Sequence, residues 1–321
     1  MKKTLLFTLK TIAALALFLG LQQLIELKTR GFWLKKIIAD DILYQPNWDA
    51  DPLPSEQMSR VDNLLNQPYR LIGSGSECFA FMSEDRQTVI KFFKFDHIRY
   101  TYLNRGLFRE DHSIFAGKFS NHPLTRWELP NPFQQSLKRL LGIREFRIQR
   151  TMSSIMLAYD QLQEETGLLY LHLNPTDHFH RTLSLYDGNG IHHEINLDQT
   201  RFFLQKGAVP LEHHFSLLRK QRKHEDARKS IDSFLKLIQS RCKKGFADRD
   251  PLNKNFGFIS NKAIEIDTGS FQKDPEMTKL WNYKRELFYV TLGLKSWMKK
   301  NYPEMVDYLE KKVSEEICFH Q

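Results

Sequence analysis

Cysteine is scarce in this sequence, and its placement argues against a disulfide framework. The 321 residues contain three cysteines, Cys78, Cys242 and Cys318, which are far apart and odd in number. No CxxC pair and no Cys/His zinc spacing occurs, so a structural zinc site is not indicated. We therefore expect a domain that lies in a reducing compartment or folds without disulfides.

Several sequence motifs that would mark an enzyme class are also missing. A Gly-rich stretch at residues 72–79 is not followed by GKS or GKT and opens no helix, which excludes a P-loop. The same stretch does not fit the G-x-S-x-G elbow of hydrolases, and no HExxH occurs. P-loop NTPases, α/β-hydrolases and zinc metalloproteases of the usual types are thus excluded.

Acidic residues are outnumbered by basic ones, and the formal net charge is +9. A generally basic surface accounts for this excess, as would affinity for anionic lipid, nucleotide phosphate or nucleic acid. The basic runs at 35–36, 219–223 and 241–244 are not interleaved with aromatic residues as in a single-strand binding platform. We therefore expect no nucleic-acid partner.

A long uninterrupted apolar stretch is missing too, although the N-terminus comes close to one. The uninterrupted part, residues 11–21, is shorter than the about 20 apolar residues that a spanning helix needs. We predict that residues 1–36 form a hydrophobic signal-anchor or membrane-associated helix. A cleaved signal peptide and a soluble packed helix remain alternatives, because no clear cleavage site follows.

Beyond this segment the pattern predicts a two-lobed α+β protein. Residues 37–68, which contain Asp, Pro and Asn clusters, are predicted to be a linker. Residues 69–206 carry strand signals, among them a three-strand meander at 69–93 and a hairpin at 182–197, together with one long helix. Residues 207–321 are mostly helical in pattern.

Two candidate phosphate-binding elements lie in the first lobe. Gly73, Ser74 and Gly75 form a turn between two predicted strands, where glycine lets backbone N–H groups approach phosphate closely. Lys91 lies in an apolar strand, where its ammonium group needs an anion. A structural hairpin turn and a solvent-facing lysine are the ordinary alternatives.

Two more elements lie in the second lobe. Asp250 precedes Asn255 by five residues, so that a base and a metal-binding amide can surround one point. Asp267 ends an apolar strand before Thr268 and Gly269, a position that suits a ligand of a hard cation. Polar surface turns are again the ordinary alternatives.

The order and spacing of these four elements resemble the protein kinase-like superfamily. The resemblance covers about residues 69–300 and implies a β-rich N-lobe with one long helix, a reduced helical C-lobe, and the cofactors ATP and Mg²⁺. It further implies that Gly73, Ser74 and Gly75 cover the phosphates, that Lys91 binds them, and that Glu145 pairs with Lys91. Asp250 would be the catalytic base, and Asn255 and Asp267 would hold magnesium.

The sequence also departs from the superfamily pattern. Cys78 replaces the third glycine of the loop, Asp248 the histidine of the catalytic loop, and Thr268 the phenylalanine after the metal-binding aspartate. We expect an atypical kinase that transfers the γ-phosphate of ATP to a protein or small-molecule hydroxyl group. A membrane-tethered pseudokinase that binds nucleotide or acts as a scaffold is the alternative. The kinase-like domain is expected in the cytoplasm, or alternatively secreted or exported.

Overall fold

The structure is a computed structural model that describes residues 2–38, 44–50, 52–94, 148–177 and 179–318. Its helices are α1 (Lys2–Thr29), α2 (Ser55–Leu65), α3 (148–161), α4 (Gln163–Thr166), α5 (Leu211–Lys220), α6 (His224–Lys243), α7 (Leu280–Asn301) and α8 (Val306–Cys318). Its strands are β1 (Tyr69–Ser74), β2 (Cys78–Ser83), β3 (Thr88–Phe93), β4 (Leu168–His172), β5 (Thr182–Tyr186), β6 (His192–Asn196), β7 (Phe202–Lys206), β8 (Val209–Pro210), β9 (Phe246–Asp248), β10 (Phe256–Ile259), β11 (Lys262–Glu265) and β12 (Phe271–Lys273). The predicted α+β class is confirmed.

The chain divides into two units, and each unit consists of three separate segments of the sequence. Unit 1 comprises residues 1–44, 52–96 and 174–202, and unit 2 comprises residues 45–51, 97–173 and 203–321. The sequence analysis assigned 69–206 to the first lobe, whereas α3, α4 and β4 fall within unit 2. Hydrogen bonds from Ser240 and Lys244 to Glu165 of α4 attach this helical segment to α6 of the same unit.

Unit 1 contains a mixed sheet with the strand order β3-β2-β1-β5-β6. The three-strand meander and the β5–β6 hairpin that the sequence predicts are both confirmed, and every pair within them is antiparallel. Strand β5 lies beside β1 in parallel orientation. Alternating apolar side chains such as Phe79 and Phe81 on β2 are buried on one face and form the core of this unit.

The N-terminal segment takes part in the core of unit 1 through residues that follow α1. Phe32 is buried and makes edge-to-face contacts with Phe79 and Phe81, and Ile37 is fully buried. The predicted linker likewise contains α2, which buries Val61 and Leu65. Val61 and Leu65 lie four positions apart on one face of α2, a spacing that the Pro and Asp clusters before this helix obscured.

The described part of α1 does not meet the requirements of a membrane span. None of the helices among the described residues is long and apolar enough to cross a membrane. This finding does not support the signal-anchor interpretation of residues 1–36.

Unit 2 is built mainly from helices. Strands β11, β10 and β8 form one antiparallel sheet, β12 pairs with β9, and β4 lies beside β7. One apolar cluster joins α5, α6, α7 and α8 to β10 and β11 through buried side chains such as Phe215, Phe234, Phe256 and Leu287. This core holds the loop after β9 and the segment after β11, where the proposed catalytic and metal-binding residues lie.

Candidate active site

The loop that follows β9 begins with a buried carboxylate. Asp248 is 6% exposed, and its Oδ1 accepts a hydrogen bond from the backbone N–H of Asp250 at 3.0 Å. The bond holds the backbone at Asp250, whose side chain is exposed. An exposed carboxylate on a backbone held by a buried one can meet a proton donor from outside the chain.

Asn255 ties this loop together from within. Its side chain is buried, and its Nδ2 donates to the carbonyl oxygen of Asp250 at 2.6 Å and to Oδ2 of Asp250 at 3.3 Å. These donations identify the nitrogen end of the amide, so Oδ1 is the atom that a cation would use. The five-residue spacing seen in the sequence corresponds to one closed loop in the structure.

Asp267 is connected to the same asparagine. The carbonyl oxygen of Asn255 accepts the backbone N–H of Ile266 at 2.7 Å and that of Asp267 at 3.4 Å. The Asp267 side chain is exposed, and its Oδ1 accepts the N–H of Gly269 at 3.2 Å. Unit 2 therefore brings Asp250, Asn255 and Asp267 into one hydrogen-bonded arrangement.

The donor set fits a magnesium ion only in part. Carboxylate and amide oxygens are hard ligands of the kind that magnesium prefers, and the ion usually completes its octahedron with water and substrate phosphates. In the parts of the chain that the structure describes, no group of three or more His, Cys, Asp or Glu side chains could hold a metal ion. Asn255 and Asp267 thus suit an ion that arrives with a phosphate, not one held by protein ligands alone.

A buried ion cluster supports this loop from the core. Arg241 of α6 is fully buried, with its Nε 3.1 Å from Oε1 of Glu265 and its Nη2 2.7 Å from Oε1 of Glu286. Burial disfavours the charged guanidinium, but Glu265, Asp248 and Glu286 outweigh it and hold the pKa of Arg241 above its ordinary value. Burial raises the pKa of Glu265, and the attraction of Arg241 opposes that shift in part. Glu265 is the last residue of β11, so this cluster lies two residues before Asp267. Among the described residues the side-chain oxygens of Glu265 accept no hydrogen bond, so the attraction between Arg241 and Glu265 is electrostatic.

The sequence predicts a turn at Gly73, Ser74 and Gly75, but Gly73 and Ser74 lie in strand β1 and only Gly75 lies in the turn. Strand β1 of unit 1 carries a β-bulge beside Gly73. The β1–β2 register shifts between Leu71 and Gly73, which lie opposite Phe81 and Ala80. Bulges are frequent beside active sites because they redirect the chain. Ser74 Oγ accepts a hydrogen bond from Lys94 Nζ at 2.8 Å, so a second lysine lies at this turn.

The glycines of this turn are not required by the described residues around them. Neither Gly73 nor Gly75 has a positive φ. A Cβ at Gly73 would lie 3.7 Å from Arg30 Nη1, and one at Gly75 would lie 3.8 Å from the carbonyl oxygen of Cys78, both ordinary contacts. The hairpin alone thus has no need of glycine at either position, whereas close approach of a ligand to the backbone would need it.

Lys91 lies on β3 opposite Ala80 of β2. Its side chain is half-buried, while those of Ile90 and Phe92 beside it are fully buried. Glu145, which the resemblance pairs with Lys91, lies outside the described residues. The roles of Lys91 and Glu145 therefore stay predictions.

Sequence reasoning missed two buried side chains that hold the backbone next to this site without belonging to it. Asp248 was noted only as a departure from the superfamily pattern, although its carboxylate organises the loop. Ser154 of α3 was not singled out, yet its Oγ donates to the carbonyl oxygen of Thr268 at 2.6 Å and accepts the N–H of Phe271 at 2.7 Å. A serine more than a hundred positions away gives no signal of such a contact in the sequence.

Comparison with known proteins gives little further information. No family model and no curated protein matches the chain. Solved structures similar to it include the complex of Rv3197 with erythromycin from Mycobacterium tuberculosis, at 13% identity and a TM-score of 0.29, covering 83% of this chain and 67% of that one. Another is the streptomycin–ATP–APH(2″)-IIa ternary complex, at 13% identity and a TM-score of 0.24, covering 85% of this chain and 98% of that one. Similarity at this level does not establish a shared fold or function.

Proposed function

We propose that this chain is an atypical kinase-like phosphotransferase that uses ATP and Mg²⁺ to phosphorylate a hydroxyl acceptor. The observation that carries the proposal is the hydrogen-bonded arrangement of Asp250, Asn255 and Asp267 in unit 2. The exposed carboxylates of Asp250 and Asp267 are both joined to Asn255, whose amide oxygen is a further potential ligand. A polar surface turn has no need of a buried asparagine that holds two acidic segments.

In this proposal Asp250 orients the acceptor hydroxyl and takes its proton. Its backbone is fixed by Asp248 and Asn255, so the carboxylate is positioned before the acceptor arrives. Phosphoryl transfer depends mainly on positioning and charge neutralisation, and a preorganised base supplies the first of these. When bound, the metal would neutralise charge on the phosphates, with Asn255 Oδ1 and the Asp267 carboxylate as its protein ligands.

The phosphate-binding role is assigned to unit 1. Gly73, Ser74 and Gly75 would let the phosphates approach the backbone closely, and Lys91, paired with Glu145, would add a positive charge. The Gly75 N–H already donates to the carbonyl oxygen of Cys78 at 2.8 Å, so the role rests on close approach and not on that donor. The glycines support this role because the described residues around the turn would tolerate a Cβ at Gly73 and at Gly75. A ligand that lies against the backbone accounts for the choice of glycine.

Ligand-dependent stability tests nucleotide binding. We expect Mg²⁺–ATP at a hundred times its dissociation constant to stabilise the full chain by about 2.7 kcal/mol, seen as a rise of several degrees in melting temperature. EDTA should remove most of the rise, since the donor set needs phosphates and metal together. An unchanged melting temperature at millimolar Mg²⁺–ATP would contradict the proposal.

Substitution of Asp250 then separates binding from transfer. The change Asp250→Asn keeps the carbonyl oxygen to which Asn255 donates, so we expect the Mg²⁺–ATP melting shift to persist. Transfer of labelled γ-phosphate should fall by about 10²–10⁴-fold, because the proton acceptor is lost. Asp307→Asn, the same change at an exposed position on α8, is the control and should transfer as wild type. Nucleotide binding without transfer in the wild type would favour the pseudokinase alternative.

A further inference from the structure

The segment after Asp267 is attached to the rest of unit 2 by two buried polar side chains. Ser154 of α3 is 2% exposed and bonds to the backbone of Thr268 and Phe271. Asp248 Oδ1 accepts a hydrogen bond from the hydroxyl of Ser270 at 2.5 Å. The loop that carries one proposed metal ligand is thus held at both ends.

Asp248 differs from Ser154 because it also holds the proposed base. The same oxygen, Oδ1, accepts the N–H of Asp250 and the hydroxyl of Ser270. Two backbone features run parallel to this link: Arg249 N–H donates to the Ser270 carbonyl oxygen at 3.3 Å, and Asp248 pairs with Phe271 in the β9–β12 ladder. One buried carboxylate oxygen therefore connects the Asp250 loop with the Asp267 segment.

We propose that Asp248 is a positioning residue that sets the spacing between Asp250 and Asp267. This inference rests on the proposed function. Both functional carboxylates are exposed, so little packing around their side chains fixes their separation. Misplacement by about 1 Å can cost about 10²-fold in rate, and outer hydrogen-bond partners of metal ligands affect metal affinity by about 10–100-fold. The shared acceptor Asp248 adds a side-chain link to the backbone links that Asn255 and the β9–β12 pair already make between the two segments.

Three variants of the full chain separate positioning from simple stability. Asp248→Ala removes the shared acceptor. Asp248→Asn keeps an Oδ1 that accepts two hydrogen bonds, and so should rescue the spacing. Ser154→Ala is the matched control, because in the described part of the chain Ser154 hydrogen-bonds to Thr268 and Phe271 but not to Asp250. For each variant, release of labelled γ-phosphate from ATP to water is measured across a Mg²⁺ titration, together with the melting temperature.

For Asp248→Ala we expect the half-saturating Mg²⁺ concentration to rise about 10–100-fold and the turnover at saturating Mg²⁺ to fall by about 10²-fold. Asp248→Asn should stay within about threefold of wild type in both quantities, because the acceptor geometry is kept. Ser154→Ala should raise the half-saturating Mg²⁺ concentration while leaving saturated turnover near that of wild type.

Two results would overturn the inference. One is an Asp248→Ala variant with a lowered melting temperature but unchanged Mg²⁺ dependence and turnover. The other is an Asp248→Asn variant as impaired as Asp248→Ala. Failure of the wild-type chain itself to bind or turn over ATP would instead overturn the proposed function, and so the two failures are distinguishable.

Discussion

At the scale of single residues, the site depends on how polar groups are buried. Asn255 is buried, and its backbone N–H, its carbonyl oxygen and its side-chain amide nitrogen all have hydrogen-bond partners. Burial of a polar group without such partners would cost about 1–3 kcal/mol. Asp250 and Asp267 have the opposite character, since their carboxylates are exposed. This contrast separates a residue that organises the loop from the residues available to ligands.

His214 provides a residue-scale prediction about acid stability. Its ring stacks on Phe258 with centroids 4.2 Å apart, and its Nε2 lies 2.8 Å from Ser230 Oγ. Because the Ser230 hydroxyl donates to the carbonyl oxygen of Asp226, His214 Nε2 is assigned as the donor in that contact. Burial lowers the pKa of His214 from 6.5 to about 4, with Asp226 opposing the shift.

The sign of the effect follows from that pKa. Between pH 6.5 and about 4 the unfolded chain binds a proton at His214 that the folded chain does not, so stability falls as the pH falls. Allowing for screening by solvent, this loss is about 1–2 kcal/mol. Urea melts at pH 7 and pH 4.5 measure this loss of stability, and His214→Phe should lose less stability than wild type between the two pH values. An equal loss in both proteins would show that the group does not contribute.

At the scale of elements, the β1–β2 and β5–β6 turns each contain a glycine, and the two differ in backbone conformation and in the space around them. Gly190, in the β5–β6 turn, has φ +80 and open space around it, so its conformation requires glycine. Gly75 has neither a positive φ nor a close neighbour among the described residues. Of these two hairpin-turn glycines, only Gly190 is therefore required by its own backbone conformation.

Replacing each glycine with alanine tests this difference. Gly75→Ala should change the free energy of unfolding by less than about 1 kcal/mol and should weaken Mg²⁺–ATP binding, because the methyl group lies where phosphate approaches. Gly190→Ala should destabilise the fold by about 1–2 kcal/mol through its left-handed backbone and leave nucleotide affinity unchanged. Melting curves and ATP titrations measure both quantities. Equal ATP affinity in Gly75→Ala and wild type would contradict the phosphate-binding role of this turn.

At the scale of the whole molecule, the N-terminal segment has two parts of different character. Large apolar side chains along α1 are exposed, namely Ile12, Leu15, Leu17, Phe18, Leu24, Ile25 and Leu27. Phe32 and Ile37 are buried in unit 1. We propose that α1 associates with a membrane surface through these exposed apolar side chains, whereas the residues after it belong to the folded unit.

Truncation tests this proposal if it removes residues of α1 and leaves the buried residues Phe32 and Ile37 in place. Removal of residues 2–24 should shift the chain from the membrane pellet to the supernatant, because exposed apolar area drives association at about 25 cal/mol per Å². The melting temperature should stay within about 2 °C of the full chain, since Phe32 and Ile37 remain in place. Equal partition of the two chains in fractionation would remove the proposed membrane role.

Local patterns predicted the local elements of this protein well. The meander at 69–93 and the hairpin at 182–197 were predictable because alternation and turn residues act over a few positions. Helix α2 was missed because Pro52 and Pro54 precede it closely, and the surrounding polar residues favoured a linker. The Asp250–Asn255 loop was predictable in outline, since these two residues are only five positions apart in the sequence.

The sequence by itself determined the three-strand meander, the β5–β6 hairpin and the candidate residues Asp250, Asn255 and Asp267. Only the tertiary structure decided that Asn255 joins the two acidic segments, that Asp248 and Ser154 hold the second of them, and that Phe32 belongs to the core. Hydrogen bonds and packing between distant positions depend on which surfaces meet, and periodicity along the chain carries no record of that pairing.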